Sequence, residues 1–247
     1  MEMTTITTIN PVQTDTSLLR LLQLSSASLP VGGYSFSQGL EYAIDSSWIN
    51  TKKRGTTQAD TARHIEEQVA AWLSFVMKES LSQVDLPLLK RLVIANQNND
   101  AAAFDYWNAY TLACRETMEL RLTETAMGDA LLRLLNSLDI PLPSQKQQPM
   151  SFIATFATAA VHWQIPLASI LMGYVWSWLE NQVAAATKLV PLGQTSSQRL
   201  LVLIGEEVND IIQYAQTVGD QHIGSSLPGI AMASSWHETQ YSRLFRS

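Results

Sequence analysis

The sequence predicts an all-α fold, a single-domain helical bundle of roughly eight to ten helices. Three observations predict it. Apolar residues recur every three or four positions through most of the chain. No segment alternates with a strand's period of two. Clusters of Pro, Gly and Asn divide the pattern into helix-sized pieces joined by short connections. With 247 residues, the chain can bury a substantial core.

Residues 1–15 read as a disordered N-terminal segment. From Thr16 the run LLRLLQL predicts a short helix ending near Leu29-Pro30. Pro30, Gly32 and Gly33 then break the chain. Ser35 and Gln38 have the spacing of a capping box, with Ser35 as N-cap of a short helix through Tyr42. Residues 46–58 read as a loop. A long helix is expected from Thr61 to Leu81, its inward stripe formed by Ile65, Val69, Trp72, Leu73, Val76 and Ser80. Pro87 suits the first turn of the next helix, which ends in the polar cluster Asn96–Asn99.

Asp100 can cap a helix through Thr125, with another following to Leu138. Pro141 and Pro143 open a loop that extends to Pro149. Two helices flank the Gln164–Pro166 break. In the second, Ser169, Gly173 and Ser177 recur every four residues, so a neighbouring helix can approach closely. Packing within the chain and an intersubunit seam both fit that stripe. Pro191-Leu192-Gly193 ends this helix, and Thr195 with Gln198 offers a second capping box. Leu200, Leu203, Ile204, Val208, Ile211 and Ala215 mark one strongly amphipathic helix. Gly224–Gly229 is a loop. The helical domain thus spans residues 16–235, and residues 236–247 form a C-terminal tail.

Composition narrows the function. Charged residues make up 15% of the chain, against roughly 25% in an average soluble domain. A surface short of charge suits an oligomer or a member of a complex. The net charge of −6 and the lack of a basic stripe argue against a nucleic-acid binder. Lys52, Lys53 and Arg54, the one compact cationic cluster, read as a solvated loop. Cys114 is the single cysteine, which excludes an intrachain disulfide and fits a reducing cytoplasm. The first residues, MEMTTITTINPVQTDT, lack the basic and apolar regions of a signal peptide. Residues 147–179 carry no Asp, Glu, Lys or Arg, but prolines and polar residues interrupt the run. Buried helices are therefore expected there, not a membrane span.

No catalytic or metal constellation emerges. His64, His162, His222 and His237 are scattered, without HxxxH or CxxC spacing, and the adjacent His237 and Glu238 do not face one ligand on a helix. Pro30–Gly33 lacks the Lys-Ser/Thr of a phosphate loop, and no GxSxG elbow occurs. Glu66-Glu67 and Glu206-Glu207 point about 100° apart on a helix. Cys114 reads as a small core residue. Between Arg115 and Glu124, Arg115 and Glu119 are spaced to pair at i,i+4, as a solvated charged face or a partner contact. The tail WHETQYSRLFRS is unlike a frayed terminus. Tyr241 and Phe245 lie four apart, on one face if helical, so the tail suits docking onto its own domain or onto a partner.

Four motifs sharpen this reading. LPVGGYSFSQGLE (Leu29–Glu41), RETMELR with a following MG (Arg115–Gly128), AAATKLVPLGQTSSQRLL (Ala184–Leu201) and the tail HETQYSRLFRS occur in this order. Together they resemble the urease accessory protein UreF family, over nearly the whole chain after Leu18. The chain departs from the family pattern in having Tyr34 and Phe36 where Phe then Tyr is usual, and in Trp236. The resemblance implies an all-helical homodimer that is not an enzyme, needs no cofactor and works in the cytoplasm without membrane or nucleic acid. It implies a scaffold and GTPase modulator bridging UreD (also called UreH) and the GTPase UreG, in a complex that delivers nickel to apo-urease. It further implies a tail that orders on UreD binding.

Carried onto this sequence, Tyr241, Arg243, Leu244, Phe245 and Arg246 are the candidates for docking UreD. Gly32, Gly33, Tyr34, Ser35, Glu41 and Lys188 are the candidates for a UreG surface. Lys188 also stands at a helix C-terminus, where the dipole favours a cation. A helical enzyme with an unrecognised site and a direct nickel carrier are the other readings.

Overall fold

The computed structural model describes residues 16–52, 57–144, 148–224 and 227–246. The expectations for residues 1–15, for Lys53 and Arg54, and for parts of the loops after Pro143 and Gly224 lie outside them. The all-α expectation holds: the described residues form helices and connecting turns, with no strand among them.

The helices are α1 (Thr16–Leu24), α2 (Leu40–Asp45), α3 (Gln58–Val76), α4 (Leu86–Gln97), α5 (Ala101–Ala113) and α6 (Met118–Ser137). They continue with α7 (Phe152–His162), α8 (Leu167–Leu189), α9 (Gln194–Gly205), α10 (Val208–Thr217) and α11 (Pro228–Glu238). The uncharged stretch forms the centre. In α7 every residue from Phe152 to Ala160 is buried, and the helix packs between α4 and α6. A helix apolar on all sides belongs in a core or a membrane. Here α1, α4, α5 and α6 surround it. Among the described residues no helix is long and apolar enough to cross a membrane.

Small residues set the closest approaches. A Cβ on Gly128 of α6 would meet the backbone of Met150, Ser151 and Phe152 at the start of α7. A Cβ on Gly173 of α8 would meet Leu21 and Ser25 of α1. The Gly173 stripe therefore serves packing within the chain.

Several boundaries differ from expectation. The long helix starts at Gln58, because Thr57 and Asp60 form a reciprocal capping box. It then passes into a π-helical segment, Met77–Asp85, which runs directly into α4 with Pro87 in the first turn. The stripe Ile65, Val69, Leu73 and Val76 is buried as expected. Asp100 caps α5 by accepting from the Ala103 N–H at 3.0 Å.

The expected helix through Thr125 is interrupted at Cys114–Thr117. The Thr117 hydroxyl accepts from the Leu120 N–H at 3.1 Å and starts α6 afresh. Cys114 therefore caps α5 and is half-buried. The amphipathic run from Leu200 to Ala215 is two helices, α9 and α10, broken at Glu206-Glu207. Neither capping box forms as expected. Ser35 lies in a 3-10 turn (Gly33–Ser35), and α2 begins behind Gly39, whose φ of 86° places it in the left-handed region. Gly193 precedes α9, so Thr195 falls inside the helix.

Candidate functional site

Three helix ends converge beneath the tail. Glu41 stands in the first turn of α2, Glu119 in the first turn of α6, and His237 in the last turn of α11. Helix N-termini favour carboxylates and C-termini favour cations, so each residue suits its place. His237 is fully buried between the two carboxylates. Its Nε2 lies 3.0 Å from Glu41 Oε2, and its Nδ1 lies 2.9 Å from Glu119 Oε2. Burial works against a charged ring here. The hydrogen bonds to Glu119 and Glu41, and their charges, outweigh it and raise the His237 pKa above the ordinary value.

The same carboxylates hold the tail. The N–H groups of Leu244 and Phe245 donate to Glu41 at 2.7 and 2.9 Å. The Arg243 guanidinium donates to Glu119 at 2.9 Å. The Arg246 N–H donates to the Ser35 carbonyl at 2.9 Å. Hydrogen bonds to a carboxylate are about twice as strong as neutral ones. The Phe245 ring is 5% exposed, and the Lys188 ammonium lies 5.4 Å from its centroid and 5.5 Å from that of Tyr34. Cation–π attraction thus joins α8, the Gly33–Ser35 turn and the tail. A pocket of about 200 Å³ opens between them, lined by Tyr34, Ser35, Lys188, Leu244, Phe245 and Arg246.

The structure therefore brings the two sets of sequence candidates together. Tyr34, Ser35, Glu41 and Lys188 all adjoin Phe245 or its neighbours. Gly32 takes a φ of 73° just ahead of the turn. Gly33 faces Asn181 of α8, which a Cβ would approach to 2.9 Å. Tyr241 is fully exposed and Leu244 is 63% exposed. The expected helical face of Tyr241 and Phe245 is corrected. Helix α11 ends at Glu238, and beyond it Phe245 turns in while Tyr241 points out. Trp236, in the last turn of α11, packs at a tilt against Tyr42 and edge-on against Trp48 at centroid separations of 5.4 and 5.7 Å.

A second ionic cluster corrects the expected Arg115–Glu119 pair. Arg115 donates instead to Asp85 at 2.6 Å and to Glu124 at 2.7 Å, all three largely buried. The other Glu124 oxygen accepts from the Ile153 N–H at the start of α7, at 3.0 Å. This is no solvated face. It is an internal tie between the π segment, the α5–α6 turn and α7, bordering a cavity of about 80 Å³. Glu119 is freed for His237 and Arg243.

Comparison with known proteins identifies the chain's relatives. The UreF family model matches residues 64–204, more than half of the chain. The chain belongs to the UreF family. A Marinomonas protein named urease accessory protein UreF is 49% identical over 246 residues, covering 99% of this chain and all of that protein. The namesakes from Alkalilimnicola ehrlichii and Pseudomonas entomophila are 44% and 42% identical, over 92% and 96% of this chain and 95% and 100% of their own lengths. The segments Leu29–Glu41, Arg115–Gly128 and the tail supply Glu41, Glu119 and His237, of which Glu119 lies within the span matched by the family model.

Sequence reasoning missed His237 and Glu119 as parts of one centre. Only the neighbouring Glu238 suggests itself as a partner for His237 in the sequence, whereas the true partners lie 196 and 118 positions away. One signal was available: Glu41 is a lone carboxylate within the apolar stretch from Leu40 to Ile44.

Proposed function

We propose that this chain serves urease maturation as a non-catalytic scaffold that bridges UreD and UreG, modulates the GTPase, and so assists nickel insertion into apo-urease. The work is cytoplasmic, and the scaffold acts as a homodimer. One observation carries the reading: the tail and the Tyr34–Lys188 surface form a single continuous patch. Tyr241 and Leu244 are exposed there to supply burial to UreD. Phe245, Arg243 and Glu41 hold the segment that presents them. Tyr34 and Lys188, at the edge of the same patch, suit UreG. A scaffold that joins two partners benefits when their contacts share a border.

Size-exclusion chromatography of the chain with UreD and UreG, with urease activation as readout, tests this. A ternary complex and loss of nickel-dependent urease activity on gene deletion are expected. Separate elution with unchanged urease activity would overturn the reading. Within the complex, Lys188→Ala should alter GTP turnover by UreG, and a wild-type rate would reject a role for that ammonium. Deletion of residues 236–247 should abolish co-purification with UreD.

A further inference from the structure

We propose that the valley between α3 with its π-helical extension and the α9–α10 pair is a docking groove for a basic amphipathic helix of a partner protein. Two open hollows form it. One, of about 430 Å³, is lined by Ala71, Phe75 and Leu203. The other, of about 390 Å³, is lined by Glu79, Asp210 and Tyr214. Lys78 and Glu207 border both, so the hollows meet end to end. Residues 71–83 make a wall about 18 Å long, which matches about three turns of a docked helix.

The apolar half follows from helical spacing. Ala71 and Phe75 lie four apart and share the outer face of α3, while Leu73 and Val76 turn into the core. Phe75, Leu203 and Tyr214 are 50%, 54% and 52% exposed. Large side chains left open along one valley mark an interaction surface, whereas single exposed ones are ordinary. A groove between two packed helices receives a third through its apolar stripe.

Charge selects the occupant. Among the described residues Glu79, Glu207 and Asp210 line the second hollow, with Lys78 as its one cation. At the joint, Lys78 Nζ stands 2.9 Å from Glu207 Oε2, yet that buried oxygen accepts no hydrogen bond. Ser74 donates only to Oε1, at 3.0 Å. The Lys78 side chain is 57% exposed and can swing aside, so an arriving lysine or arginine supplies the missing donor. The helix that fits is therefore apolar toward Phe75 and basic toward Asp210. None of these residues belongs to the tail patch, and the inference stands apart from the UreD and UreG reading.

The test titrates the full-length chain with a helix-forming peptide of leucine and lysine, its leucines on one face, and follows backbone amide shifts by NMR. Saturable binding with a Kd of about 10–100 μM is expected, with the largest shifts in residues 71–83 and 203–214. Phe75→Ser and Asp210→Asn change exposed side chains and should keep the fold. They should weaken binding by about tenfold and about threefold. The counterpart peptide of leucine and glutamate should not bind. No saturable binding up to about 1 mM, shifts centred elsewhere, wild-type affinity in both variants, or equal binding of the glutamate peptide would each overturn the proposal.

Discussion

Glu41 and Phe245 stand 204 positions apart and share a 2.9 Å hydrogen bond from the Phe245 N–H to the Glu41 carboxylate. One buried side chain thus fixes the path of the chain's end. The tail's attachment rests on that bond, on Arg243–Glu119 and on the ring of Phe245.

Phe245→Ala should release the tail while leaving the bundle folded. Terminal segments open at far lower cost than the core. Trypsin should cleave after Arg243 several-fold faster, with Tm lowered by less than about 3 °C. A large drop in Tm would mean that the tail is part of the cooperative core.

Arg115→Ala should be severe. It leaves Asp85 and Glu124 buried without their cation, a loss of about 3–5 kcal/mol. Thermal unfolding should shift down by roughly 10 °C. Arg115→Lys should recover part of this, because a point charge replaces a guanidinium that now bonds both carboxylates.

Two glycines predict opposite signs. In Gly128→Ala the new Cβ would lie 2.8 Å from the Ser151 carbonyl carbon and 2.9 Å from the Phe152 nitrogen. Backbone cannot yield as a side chain does, so about 2–3 kcal/mol should be lost. A Cβ at Gly205, the last residue of α9, meets nothing within 4 Å. Gly205→Ala should be neutral or add about 0.5 kcal/mol. Urea denaturation of both variants checks the contrast.

Glu66 predicts an acid effect. The hydrogen bond from Arg199 holds its pKa below the ordinary 4.5. The stability it contributes is complete above that ordinary value and is lost as pH falls through the lowered one. Arg199→Ala should return the Glu66 carboxyl to ordinary titration, read by NMR. Glu66 titrating as in wild type would exclude the pairing.

The architecture was legible because apolar spacing and signals such as the Asp100 cap and the Pro166 break act locally. Buried stripes such as Ile65, Val69, Leu73 and Val76 arise from the same spacing. The breaks at Cys114–Thr117 and Glu206-Glu207 were not legible. Their residues tolerate helix, and tertiary ties such as Arg115 to Asp85 decide the outcome. The site was half legible. The resemblance places Glu41 and Lys188 with one expected partner and Phe245 with another, whereas the contacts of Phe245 with both form only in the folded chain.

The π-helical segment has a consequence for how insertions and deletions are tolerated. Met77–Asp85 joins two α-helices without a loop, so it works as a phase adjuster between them. Each residue added to or removed from an α-helix rotates the downstream turns by about 100°. Deleting one residue between Met77 and Val84 would therefore swing Asp85 off the side of the helix that meets Arg115, and α4 would present a different face to α7. Sequence length in this segment is thus a structural variable in its own right, as constrained as the identity of any side chain it carries.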